Sequence, residues 1–242
     1  MKNLIVLISL KIISINILIA QTSEIKRTNH WYFGEGIGID YSSGVPVLDT
    51  LSPMSQREAC AVMSDTAGNL LFYTDGDTVW NQNHIMMTNG FDVGCESSSN
   101  GAAIVPNPGN DSIYYLFTVD CWENFGTHGL RYTVINVNAN NGLGAIIQKN
   151  VQLFSPSSEQ LAVTRHCDGI DFWIVAHAYS VNAFYAYKIN ALGVDTVPVI
   201  TNIGDTLPVW TPLVMQEVCA FLLMEKNCFV NLRKGLRLLI LI

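Results

Sequence analysis

Ala61-Val62-Met63-Ser64-Asp65-Thr66-Ala67-Gly68-Asn69-Leu70-Leu71-Phe72-Tyr73-Thr74 is the stretch on which the reading of this chain turns. Two short apolar runs flank a segment of Asp, Gly and Asn, the residues that tolerate the positive φ of a tight hairpin turn. The same plan recurs twice. Ala102-Ala103-Ile104-Val105-Pro106 leads through Pro108-Gly109-Asn110-Asp111 to Ile113-Tyr114-Tyr115-Leu116-Phe117, and Leu161-Ala162-Val163-Thr164 leads through Cys167-Asp168-Gly169 to Asp171-Phe172-Trp173-Ile174-Val175. A third, alternating run follows in Leu130 to Val137 and in Ala183 to Ile189.

Outward from these units, the chain after Trp31 holds no long stretch with apolar residues at helical spacing, and the pattern predicts strands throughout. The expected strands are Cys60 to Ser64, Leu70 to Thr74, Thr78 to Asn81, Ala102 to Pro106, Ile113 to Val119, Leu130 to Val137, Leu161 to His166, Asp171 to His177, Ala183 to Ile189 and Val197 to Ile200. Units start near 60, 102 and 161, at intervals of about 42 and 59 residues, which bracket the ~40 to 50 residues of a four-stranded propeller blade. The longer interval is assigned to the loop through Cys121 and Gly126. The expected fold is all-β: a partial β-propeller of about three to four antiparallel blades over residues 28–212. An N-terminal signal helix over 1–20 precedes it, and an apolar tail over 213–242 follows. A β-sandwich with irregular hairpins is the structural alternative.

Charged residues make up 14% of the chain and the net charge is −7. That balance argues against nucleic acid and anionic membrane surfaces as partners, because both require clustered Lys and Arg. Residues 1–20 read as a basic start, an apolar run broken by Lys11, and Ala20 before a cleavage point, which predicts export. The run is too short and too interrupted for a membrane span. Six cysteines are present: Cys60, Cys95, Cys121, Cys167, Cys219 and Cys228, none at metal-ligand spacing. Cys60 and Cys167 are expected as buried free thiols in apolar strands, while Cys95 and Cys121, in loop-like surroundings, are the better disulfide candidates.

The segments Asn29-His30-Trp31-Tyr32-Phe33-Gly34, Gly68 to Gly76, Thr78 to His84 and Gly129 to Val134 resemble the N-terminal propeller of large surface proteins from gliding, Bacteroidota-type bacteria. The resemblance covers roughly residues 28–206. It implies export by type IX secretion, a repeat fold, and a larger parent carrying immunoglobulin-like modules and a C-terminal sorting domain. It implies no catalytic residue. From residue 213 the chain departs from the pattern. The alternatives for this tail are an amphipathic or membrane-seeking helix, or a shifted reading frame, since residues 214–227 back-translated and read two nucleotides later can restore a strand, a Pro-Asp-Gly turn and the next strand. Sequencing codons 205–230 in close relatives tests the shift.

The candidate chemistry is sparse. Asp40, Asp49, Asp65, Asp75 and Asp77 lack the calcium-loop pattern and are expected in hairpin turns. His84, His128, His166 and His177 show no carboxylate or His spacing. Ser97 to Ser99 and Ser155 to Ser158 are read as loops without a nucleophile elbow. Gly34-Glu35-Gly36-Ile37-Gly38 lacks the strand and helix of a phosphate-binding loop and reads as a turn. Of Trp31, Trp80, Trp122 and Trp173, only Trp122 falls in a loop, where it is the candidate ligand contact, and the others are expected in the core. No catalytic residue, cofactor site or metal site is assigned. The expected function is a non-catalytic module at the cell surface that engages a glycan or protein. The alternatives are an extracellular polysaccharide-acting enzyme, which needs carboxylates converging at one end of the blades, and a truncated gene product without function. An incomplete propeller leaves edge strands unpaired, so the isolated chain is expected to be poorly soluble.

Overall fold

The computed structural model describes residues 26–203 and the backbone of three later strands, Cys219–Met224, Asn227–Leu232 and Leu236–Leu239. The expected signal segment 1–20 lies outside the described residues. Among the described residues no helix is long and apolar enough to cross a membrane.

The described residues are mostly antiparallel β, arranged as five small sheets in chain order. The first holds β1 (His30–Phe33), β2 (Ile37–Asp40) and β3 (Val47–Asp49). The second holds β4 (Ala61–Ser64), β5 (Leu70–Thr74) and β6 (Val79–Asn81). The third is a four-stranded meander of β7 (Ala102–Asn107), β8 (Asn110–Thr118), β9 (Leu130–Asn136) and β10 (Ala145–Phe154). The fourth runs β11 (Ser157–Arg165), β12 (Phe172–Ala178) and β13 (Ala183–Asn190), where β13 pairs with both β14 (Gly193–Val194) and β15 (Val199–Asn202). The described part of the tail 213–242, set apart by its sequence, holds β16 (Cys219–Met224), β17 (Asn227–Leu232) and β18 (Leu236–Leu239), a further meander where a helix was one of the alternatives. Hairpin alternation sets each register: Val62 faces Tyr73, Tyr115 faces Val134, and Ile174 faces Tyr187.

The first strands of the sheets neighbour one another in sequence order: β1 beside β4, β4 beside β7, β7 beside β11 and β11 beside β16. Between the sheets lie the apolar layers. Tyr32 stacks on Tyr73, which stacks on Trp80, joining the first sheet to the second. Phe72 meets Tyr114 edge-on among Met63, Leu116 and Ile135, joining the second to the third. Phe117, Leu130, Leu161, Ile174 and Tyr187 form the layer between the third and fourth. The outer face of the first sheet is bare: Trp31, Phe33, Ile37 and Leu48 are all exposed. Trp31 is therefore half exposed and not a core residue, because alternation along β1 sends Tyr32 to the neighbouring sheet and Trp31 to the opposite side.

Two other expectations need correction. The long interval between the second and third repeat units is filled by a strand, β10, as well as by the Cys121 loop. Cys167 is exposed in the hairpin between β11 and β12, and Cys60 is half-buried just ahead of β4. Both are free thiols, as expected. Cys95 and Cys121 form a disulfide across a sequence separation of 26. Replacing both by serine is expected to lower stability by about 3 kcal/mol, mainly by freeing the unfolded chain. Urea unfolding of the double variant against the parent, both non-reduced, measures it.

Candidate functional site

Antiparallel meanders bring particular loops to one end of the molecule. In each sheet the first strand begins, and the second ends, at the same end, so the segments entering β4, β7 and β11 share it with those leaving β5, β8 and β12. These segments are bound to one another. The backbone N–H groups of Glu58 and Ala59 donate to the Glu96 carbonyl at 3.2 and 3.1 Å. Ser98 Oγ donates to the Glu159 carbonyl at 3.1 Å, and Asn100 Nδ2 to the Leu161 carbonyl at 3.0 Å. Ser157 N donates to the Gly126 carbonyl at 3.1 Å. The disulfide fastens the segment entering β7 to the segment leaving β8.

Trp122 lies at this end, in a short 3₁₀ turn over Trp122–Asn124 that follows β8. Its ring meets Phe125 edge-on at 5.6 Å. Phe125 is 48% exposed and holds a left-handed φ of 57°, uncommon for a bulky residue. The Trp122 N–H donates to the Glu159 carboxylate. Thus the sequence-designated Trp122 is half-buried and presented with a second aromatic that the sequence reading passed over.

Carboxylates gather around this pair. Ser97 Oγ donates to Glu123 at 2.7 Å, and Ser99 Oγ donates to Glu58. Asp120 is wholly buried. Burial alone would raise its pKa, but hydrogen bonds from Asn124 and from the His128 backbone and ring hold the carboxyl below its usual range. Glu159 is the opposite case. Burial pushes its pKa up against the single Trp122 N–H, and the charges of Glu58, Glu123 and Asp120 add to the rise, to about 7. Ser157 and Ser158, read as loop, are buried residues of β11, next to Glu159. Cys95, Cys121 and Glu123 lie within reach of one another, but both sulfurs are spent in the disulfide, which leaves one carboxylate donor.

The remaining sequence candidates lie elsewhere. Asp65 accepts the Ala67 and Asn69 N–H groups, and Asp75 accepts those of Asp77 and Thr78, so both close turns as expected. The histidines are not isolated from carboxylates. His84 Nε2 is 3.8 Å from Asp49, His128 Nδ1 is 3.2 Å from Asp120, and His166 Nδ1 is 2.9 Å from Asp168. Folding brings the first of these together from distant segments, which no spacing rule detects. Between the first two sheets, Tyr32 donates to Asp49 and the Tyr73 hydroxyl lies 3.0 Å from His84 Nδ1. His30 Nδ1 lies 3.0 Å from Ser64 Oγ, and its Nε2 lies 3.4 Å from Asp40. Ser64 is fully buried, so this chain of Ser, His and Asp braces β1 against β4. A groove of about 240 Å³ opens beside it, lined by His30, Trp31, Phe33, Cys60 and Val62. Gly34 and Gly36, at φ 61° and 65°, turn β1 into β2 as the sequence predicts.

His177, on β12, faces the bulge of β11 that carries Glu159, and it is buried against the Phe184 ring with Nδ1 unpartnered. Burial lowers its pKa to about 4. The two groups couple stability to pH with opposite signs. The folded pKa of Glu159 lies above its unfolded value, so its contribution is complete below the unfolded pKa and is lost as pH rises through about 7. The folded pKa of His177 lies below its unfolded value, so its contribution is complete above the unfolded pKa and is lost as pH falls through about 4. Glu159→Gln is therefore expected to gain about 2 kcal/mol on the parent as pH rises from about 4.5 to 7. His177→Leu is expected to gain a similar amount as pH falls over about 6.5 to 4. Urea midpoints at several pH values give both slopes.

No protein-family model, curated protein or solved structure matches the chain.

Proposed function

We propose that the chain is a non-catalytic recognition module of a larger exported surface protein, built as part of a β-propeller, which engages a glycan or protein through the loop end that carries Trp122 and Phe125. The observation that carries this reading is the half-buried Trp122 beside the exposed Phe125, in a segment fixed by a disulfide and bordered by hydroxyl and carboxylate groups. Apolar ring faces beside hydrogen-bonding groups suit sugars, whose own surfaces alternate in the same way. The series of meanders whose first strands neighbour one another supports the propeller arrangement, as blades stack in this manner around an axis. The leader and the resemblance to gliding-bacterial surface proteins support export and a cell-surface location.

The second reading is a polysaccharide-acting enzyme, and one observation favours it. Burial and the neighbouring carboxylates of Glu58, Glu123 and Asp120 push the Glu159 pKa up to about 7, and a carboxyl of raised pKa beside other carboxylates is the pairing that glycoside cleavage uses. Against it, Glu159 is only 4% exposed and its carboxylate already accepts the Trp122 N–H. Immobilised neutral glucan, polyuronate and chitosan separate the two readings. Recognition predicts retention of the full chain without released sugar, and a loss of roughly tenfold or more in affinity for Trp122→Ala. Release of reducing ends or unsaturated products, abolished by Glu159→Gln, overturns it in favour of the enzyme.

A further inference from the structure

Glu159 joins the segments at the loop end through both its backbone and its side chain. It lies where β11 bulges between the pairs Ser157 with Ala178 and Leu161 with Ala176. Its carbonyl accepts Ser98 Oγ from the segment entering β7, and its carboxylate accepts the Trp122 N–H from the segment leaving β8. Those two segments are already one unit through Cys95–Cys121. The charges that raise the Glu159 pKa are those of Glu58, Glu123 and Asp120, and Arg131 on β9 interacts with Asp120. Glu96 is paired with Arg57, and His128 with Asp120. On the elements packed against β11, β12 offers the buried His177, β7 carries no titratable side chain, and β16 carries none except Cys219.

We propose that Glu159 is a proton-operated latch: protonated, it lets the disulfide-linked loops close on β11 around Trp122, and ionised, it drives them off and uncovers the half-buried Trp122 beside Phe125. A neutral carboxyl keeps its carbonyl oxygen, so the Trp122 N–H retains an acceptor in the closed form. Ionisation strengthens that one hydrogen bond, but it adds the cost of burying a charge, which is the larger contribution, and repulsion from the neighbouring carboxylates. An ionised Glu159 is a charge held away from water, close to the buried carboxylate of Asp120 and the exposed ones of Glu58 and Glu123. The disulfide makes the two loops leave together. A group that prefers its proton in the closed form must, by linkage, favour the open form once the proton is lost. Opening therefore grows as pH rises through about 7. The biological use of the latch rests on the loop end being the contact surface, but its operation does not.

Backbone hydrogen exchange of the full chain at pH 6 and pH 8.5, corrected for intrinsic chemical rates, tests the latch. In the parent, the opening constant over residues 95–101 and 121–129 is expected to rise roughly tenfold or more, with β8 and β12 unchanged. Glu159→Gln is expected to abolish the step, and Glu58→Gln to reduce it. A step of the same size in Glu159→Gln, or no step in the parent, overturns the proposal. A carboxyl-carbon NMR titration of the parent, which needs no variant, must show one glutamate titrating near neutrality, and finding none overturns it equally. Retention on the polysaccharide panel at both pH values is read separately, so a latch that opens without any binding defeats the contact-surface reading alone.

Discussion

Gly129→Ala is expected to destabilise the protein by about 4 kcal/mol or more, the largest effect of any single methyl group at this end of the molecule. The residue holds φ at 66°, and a Cβ there would lie 1.9 Å from the Phe154 carbonyl oxygen and 2.8 Å from the Ser155 Cα. Those atoms are backbone at the end of β10, where Phe154 pairs with Leu130, so no side chain can rotate away. Relief requires β9 and β10 to part. Gly142→Ala separates the two causes, since it has φ 85° and open space within 4 Å of its Cβ. It carries only the left-handed penalty of about 1 to 2 kcal/mol. Equal losses in the two variants, measured by urea unfolding, would contradict the packing described for Gly129.

Phe117→Ala is expected to cost about 3 to 5 kcal/mol. Phe117 is wholly buried in β8 and contacts the rings of Tyr115 and Tyr132, in the layer that also holds Leu161, Ile174 and Tyr187 of the fourth sheet. Truncation removes its contacts with both sheets and leaves a cavity that cross-strand pairs on either side prevent from collapsing. Leu192→Ala is the matching control. That side chain is 99% exposed in the turn after β13, and its removal should change stability by less than about 0.5 kcal/mol. A Phe117→Ala loss as small as that of Leu192→Ala would mean that the third and fourth sheets are not packed through this layer.

Both expectations concern features that differ in how far the sequence reveals them. The hairpins were legible because alternation and turn chemistry are local. Leu70–Thr74 has the expected bounds, and Asp65 and Gly68 close the predicted turn. β10 was not legible. Its register shifts between Ile146 and Gln148 and between Gln148 and Val151, with Asn150 at φ 57°, and each bulge breaks the period of two. The first sheet escaped for another reason: its strands are three or four residues long, and its outer apolar face faces solvent.

The site was legible in one residue. Trp122 stands in a loop dense with turn residues, and Cys95 and Cys121 stood out as loop cysteines. Glu58, Glu123 and Glu159 come from three segments far apart in sequence, and only the order of the sheets brings them together. Glu159 was hidden further by its neighbours, since a Ser-Ser-Glu-Gln run reads as solvated loop, while in the fold all four residues are buried at the start of β11. The nearest local signal was Asp120 with His128, eight residues apart around a glycine-containing turn, a spacing short enough to suggest a closed loop.

The central claim is that the segments entering successive sheets converge at one end of the molecule. Short-span bismaleimide cross-linking tests it in a chain that keeps Cys95 and Cys121 and has its other cysteines, Cys60, Cys167, Cys219 and Cys228, replaced by serine. Glu58→Cys with Ser99→Cys should cross-link rapidly, because the native side chains are hydrogen-bonded across two loops. Glu58→Cys with Asp111→Cys, which places one thiol at the β7–β8 turn at the opposite end, should not. Cross-linking of the second pair and not the first would contradict the arrangement on which the recognition surface and its latch depend.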